Sequence, residues 1–156
     1  MVHLILILVS LLVISVYLVS YVCHCGLPTS VSSTYYNTRH KWLLPVVLGV
    51  SIATAIVPFF DLTPDYWRFL VFLVVAGIMF IAAAPAFRQE FEGKVHTGAA
   101  ITAGVSAVVW LAILSGFPWI AIAGVICAVI DWKHKVFWIE VGILLNLYAA
   151  LIWFAA

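Results

Sequence analysis

Glu140 is the residue whose position most needs a chemical reason. It stands five residues beyond Lys135, inside a run from Val136 to Phe154 that is otherwise apolar apart from Asn146. At ~1.5 Å per residue it lies ~7 Å into a helix. A carboxyl group at membrane depth is costly enough to read as functional, provided it faces protein. The plain alternative is a side chain that reaches back to the interface and pairs with Lys133 or Lys135, and the residues weigh the two evenly. Asn146 lies deeper, but one interhelical hydrogen bond satisfies an amide, so a packing role is expected there.

Histidine and aspartate supply the next candidates. His96 opens an apolar run and is followed on its own face by Ala100, Ala103 and Ala107, which leaves either a helix contact or a small space beneath the imidazole. Asp131 and His134 are three apart and share a helix face. If three helices converged, His96, Asp131, His134 and Glu140 would offer mixed oxygen and nitrogen ligands to a metal, as in membrane lipid hydrolases. No H-E-x-x-H, H-x-x-x-H or paired-carboxylate helix motif supports that set, so no metal or other cofactor is expected and no catalytic residue is assigned. Cys23-His24-Cys25 has neither the ligand count nor the spacing of a closed zinc site. With Cys127 the two cysteines make no disulfide framework.

The other unusual stretch is polar. Between Leu27 and Tyr36, hydroxyls stand at Thr29, Ser30, Ser32, Ser33, Thr34, Tyr35 and Tyr36, followed by Arg39, His40 and Lys41. That is too dense for a plain linker. Ser32 and Ser33 offer N-caps for a short interfacial helix. Ser30, Ser32, Thr34, Tyr35 and Arg39, together with His96 and Glu140, are therefore the expected ligand-binding set, meeting at one membrane interface.

The elements that must position these residues follow from composition. The chain of 156 residues is 67% hydrophobic and 8% charged, against about 25% charged in soluble domains. So few charges cannot wet a globule, and the bilayer must be the solvent for most of the surface. A hydrocarbon core of ~30 Å takes about 20 apolar residues per helix. The runs predict an all-α membrane bundle, a single transmembrane domain over 1–156, with six spans at about 4–22, 42–60, 69–87, 96–114, 119–131 and 136–154. The first run has no basic leader and no A-x-A site after it, so it is expected to be an uncleaved span. Almost free of small residues, it is expected at the periphery. Thr63, before Pro64 and Asp65, reads as an N-cap for the third span. Residues 88–94 read as a charged loop.

Small residues predict the packing. Ala99, Ala103 and Ala107 in the fourth run, Gly77 and Ala82 to Ala84 in the third, and Ala121, Gly124 and Ala128 in the fifth would let helix backbones approach closely, which replaces the hydrophobic drive that lipid removes. With six crossings, Arg39, Lys41, Arg88, Lys94, Lys133 and Lys135 share one side and Arg68 alone lies opposite. The positive-inside bias puts that side in the cytoplasm and both termini outside it.

Three segments carry a resemblance: Pro28 to Tyr36 as P-x-S-V-S-x-T-Y-Y, Ala84 to Phe87 as A-P-A-F, and Val95 to Ala100 as V-H-x-G-A-A. Together the chain resembles a family of small uncharacterised polytopic membrane proteins of bacteria. The resemblance implies a bacterial inner membrane and a site on the cytoplasmic side, and no activity.

The function these residues favour is binding of a lipid headgroup or small polar ligand at the cytoplasmic face. Membrane lipids are the expected partners, with a helix-packing partner or second copy as a further one. No basic tract suits a nucleic acid. The alternatives are an intramembrane metal-dependent lipid hydrolase, and a small transporter or subunit of a membrane complex. The transporter reading lacks a charged midplane in the first five spans and a broken-helix pair.

Overall fold

The computed structural model describes residues 1–83, 89–116 and 118–156, the side chains of 89–93 excepted. The A-P-A-F segment and the end expected for the third span therefore lie outside the described residues, as does Phe117. All regular structure among the described residues is helical: α1 (Val2–Cys25), α2 (Thr34–Asn37), α3 (Leu43–Asp61), α4 (Arg68–Ala83), α5 (Gln89–Leu114), α6 (Trp119–Ile130) and α7 (Lys135–Ala155), with single 3₁₀ turns at Asp65–Trp67 and Trp132–His134. Five segments are long and apolar enough to cross a membrane: Val2–Cys25, Leu43–Asp61, Asp65–Ala83, Lys94–Leu114 and Trp132–Ala155. The sixth expected span, α6, has 12 residues, or ~18 Å at 1.5 Å each, and is too short to cross by itself.

Neighbouring helices close into a ring. α1 packs on α3, α3 on α4, α4 on α5, α5 on α7, and α7 back on α1. α6 lies outside this ring, against α7. Glycine and alanine set two of the contacts. A Cβ placed on Gly77 of α4 would stand 2.7 Å from the Ala103 Cβ and 2.8 Å from the Ala99 carbonyl oxygen of α5. A Cβ on Gly124 of α6 would stand 2.6 Å from the Trp138 carbonyl oxygen and 2.9 Å from the Gly142 Cα of α7. These backbones touch because neither residue has a side chain to hold them apart.

The two ends of the bundle differ. At one end His3 meets Asp61 at 3.1 Å, and the Trp110 indole donates to Thr63 Oγ1 at 2.9 Å while its ring packs edge-on against Phe59 and Phe154. The start of α1 and the end of α7 thus share this terminal end. Thr63 is not an N-cap: its hydroxyl donates to the Phe59 carbonyl at 2.7 Å and accepts from Trp110. Burial explains the change, because an indole N–H in the core needs an acceptor. Arg68 Nε donates to the carbonyls of Phe60 (3.1 Å) and Thr63 (3.3 Å), tying the start of α4 to the end of α3 and the turn after it.

The opposite, loop end carries Asp131 to Lys135 and the polar segment after α1. The residues expected as a charged loop from 89 onward are instead the first two turns of α5, consistent with the helix preference of Gln, Glu and Lys. α1 is peripheral on its lipid side, where Ile5, Leu8, Leu12, Val16 and Val19 are exposed, but its opposite stripe of Ile7, Ser10, Ile14 and Tyr21 is buried.

Candidate ligand cavity and its polar end

A cavity of about 190 Å³, partly open to the outside, lies among the helices of the ring. Its wall is almost wholly apolar: Leu48, Ile52, Ala55 and Ile56 from α3, Val74 and Ile78 from α4, Ala100, Ala103 and Ala107 from α5, and Ile143, Leu144, Leu147 and Leu151 from α7, with Ile14 reaching in from α1. Native interiors hold few voids larger than a water molecule. Apolar cavities of roughly 150 Å³ stay dry and admit small apolar guests.

Four polar side chains interrupt this wall: Glu140, Ser32, Ser51 and Tyr148. Tyr148 is engaged, its hydroxyl 2.6 Å from Ser10 Oγ, and Ser10 in turn donates to the Ser51 carbonyl at 2.7 Å. The Ser51 hydroxyl is different. It belongs to a residue that lines the cavity, and it is the one buried side-chain polar atom without a partner among the described residues. An unsatisfied buried hydroxyl costs about 1–3 kcal/mol.

Glu140 lies at the loop end of the cavity and does not run along lipid. Its Oε2 accepts the backbone N–H of Val31 at 2.6 Å, and Val31 and Ser32 line the cavity beside it. The plain alternative of a lysine partner is not what forms: Lys135 sits over the Trp132 ring with its Nζ 3.8 Å from the centroid, and Lys133 is exposed.

The polar segment folds over this end as a plug. Pro28 and Thr34 are buried. The Thr29 carbonyl accepts the N–H of Phe137 at 3.2 Å, satisfying an orphan donor in the first turn of α7. Thr34 Oγ1 donates to the Val31 carbonyl at 2.6 Å and lies 2.7 Å from the Tyr17 hydroxyl of α1. Ser30 and Ser33 brace each other: Ser30 N–H donates to Ser33 Oγ (3.1 Å), Ser33 N–H to Ser30 Oγ (3.0 Å), and Ser33 Oγ to the Ser30 carbonyl (2.7 Å), while Ser30 Oγ lies 3.1 Å from Ser32 Oγ. The density of hydroxyls therefore shapes the plug, and Ser32 is the one of them lining the cavity. The short helix carrying Tyr35 forms as α2, with Tyr35 edge-on to Tyr36 and 5.9 Å from Lys41 Nζ.

The remaining expected residues stand elsewhere. Arg39 is exposed on the loop after α2, and His96 is half-buried on α5 but does not line the cavity. Asp131 and His134 form their own cluster at the α6–α7 turn, with His134 Nδ1 2.9 Å from Asp131 Oδ2 and the Trp138 indole donating to the same oxygen at 3.1 Å. Those two bonds, the indole first, hold the Asp131 carboxyl below its ordinary value. His96, Asp131, His134 and Glu140 are not gathered into one set, and among the described residues no three His, Cys, Asp or Glu side chains converge as a metal would need. The physical reason is that each acidic group already has a nearer donor.

Asn146 makes the interhelical bond expected of it, and Ser51 acquires a role that spacing did not show. Asn146 Oδ1 accepts the N–H groups of Ile120 (2.7 Å) and Ala121 (3.2 Å), the first turn of α6. Ser51 reads in sequence as an ordinary small residue in an apolar helix, and no signal marked it.

No family model, no curated protein and no solved structure matches this chain.

Proposed function

We propose that this protein binds a single-chain amphiphile in the plane of the membrane, with the apolar chain in the helix-lined cavity and the polar head at Glu140 and Ser32. The observation that carries the reading is a carboxylate turned into an apolar cavity whose wall also bears an unpartnered buried hydroxyl, Ser51. At about 190 Å³ the space is below the roughly 300–1,000 Å³ of drug-sized sites, which favours one chain over a two-chain lipid.

Five helices of crossing length support a membrane location. The sixth passage is made by α6 with the turn before it. Arg39, Lys41, Lys94, Lys133 and Lys135 lie toward the loop end and Arg68 toward the terminal end, so the loop end faces the cytoplasm and both termini face away. The resemblance noted above supports a bacterial inner membrane as the setting.

The test is mass spectrometry of the small molecules retained by protein extracted gently from its own membranes. Ala55 lines the cavity and is half-buried, so Ala55→Phe fills it. A single-chain amphiphile retained by the parent and lost from Ala55→Phe is the expected result; an identical lipid complement in both overturns the reading.

A further inference from the structure

We infer that the amphiphile carries a cationic amine head. This rests on the cavity reading above and adds the chemical class of the head. Among the described residues, Glu140 is the one carboxyl group lining the cavity, and no lysine, arginine or histidine lines it. Of the described cations toward this end, Lys135 covers Trp132, Lys41 lies by Tyr35, and Arg39 is exposed. An anionic head placed at this end would meet a carboxylate with no counter-charge among the described residues. A buried carboxylate without a cation is itself costly, and a protonated amine offers both the opposite charge and three donors.

The hydrogen bonding agrees with the charge. Oε2 of Glu140 takes the Val31 N–H, which fixes the carboxylate in place and leaves acceptor capacity on a group with about four lone-pair sites. Ser32 stands beside it as a hydroxyl that accepts from an ammonium. Fixing the carboxylate in advance lowers the ordering cost of binding.

The experiment compares dodecylamine, dodecanol and dodecanoate, which share one chain and differ in head. The full-length protein is held in phosphatidylcholine nanodiscs, and each probe competes against a photoreactive long-chain amine whose adducts are mapped by peptide sequencing. Dodecylamine is expected to compete at least tenfold better than dodecanoate, with adducts on cavity residues such as Ser51 and Ile143. Glu140→Gln keeps an acceptor for Val31 and is expected to bring amine and alcohol to equal strength. Should that variant fail to fold, the comparison of heads on the parent protein still decides. Dodecanoate or dodecanol matching dodecylamine on the parent overturns the amine head while leaving the cavity reading intact. No competition by any probe, or competition unchanged in Ala55→Phe, overturns the cavity reading itself.

Discussion

Glu140 and Asp131 each act by accepting from an N–H, a backbone one for Glu140 and an indole for Asp131. Glu140 accepts from Val31, so Glu140→Leu leaves that donor unpaired and Glu140→Gln does not. Leaving a buried donor unsatisfied costs about 1–3 kcal/mol. In detergent, the thermal midpoint of Glu140→Leu should therefore fall clearly below that of Glu140→Gln; equal midpoints would show that the plug is not held by this bond. Asp131 makes a pH prediction. The Trp138 indole and His134 hold its carboxyl below the ordinary value of 3.8. The folded protein then binds this proton less tightly than the unfolded chain, so the stabilisation is present above the ordinary value and disappears as pH falls through the folded one. The parent should be more stable than Asp131→Asn near neutral pH, and the gap should close in strongly acidic buffer. A gap independent of pH removes the carboxylate from the account.

Among the helices, α6 is the element whose behaviour is least ordinary. It is short, lies outside the ring, and begins beside Asn146, eleven residues into α7. A helix that starts inside a membrane exposes N–H groups that lipid cannot satisfy, and the Asn146 amide oxygen takes two of them. Asn146→Leu should destabilise the protein by more than Leu145→Ala, a change at the exposed neighbour, in the same thermal assay. The contact of α6 with α7 makes a second forecast at this scale. Gly124→Ala drives a methyl against the Trp138 carbonyl and the Gly142 Cα, backbone atoms that cannot step aside, whereas Gly49→Ala on α3 meets nothing within 4 Å. Gly49→Ala should be neutral or slightly stabilising, since alanine favours the helix by about 1 kcal/mol. Gly124→Ala should lower the midpoint and raise protease cleavage in the turn before α6. Equal behaviour of the two variants would mean that α6 is not packed against α7 as described.

For the molecule as a whole, the closed ring has one consequence for composition and one for orientation. Helices that pack side by side around a centre leave a column only inward side chains can fill, and here alanines at 55, 100, 103 and 107 leave it partly open. Orientation follows from charge. With Cys23, Cys25 and Cys127 replaced by serine, a cysteine at position 133 should resist an impermeant thiol reagent on intact cells, and a cysteine at position 3 should react. The reverse pattern overturns the proposed orientation and leaves the helix packing untouched.

Much of this was legible from the residues alone, for a physical reason. Membrane helices declare themselves by length and apolarity, because lipid forces every backbone group to pair within its own helix. The bounds of α1, α3, α6 and α7 accordingly fall within a few residues of the expected spans. Gly77, Ala103 and Gly124 were legible as packing positions because only small residues permit that approach. The inward-facing Glu140 was legible as one of two alternatives, but its partner was not: the acceptor met a backbone N–H, which leaves no mark on side-chain identity. The same holds for Thr63, for which Trp110 lies 47 residues away, and for Asn146, which serves the start of another helix. Ser51 is an ordinary serine until the helices pack around it and bury its hydroxyl without a partner. Local periodicity fixes which segments are helices; which polar atoms meet depends on how those helices turn and stack, and that is decided only when the tertiary structure brings distant backbone within reach.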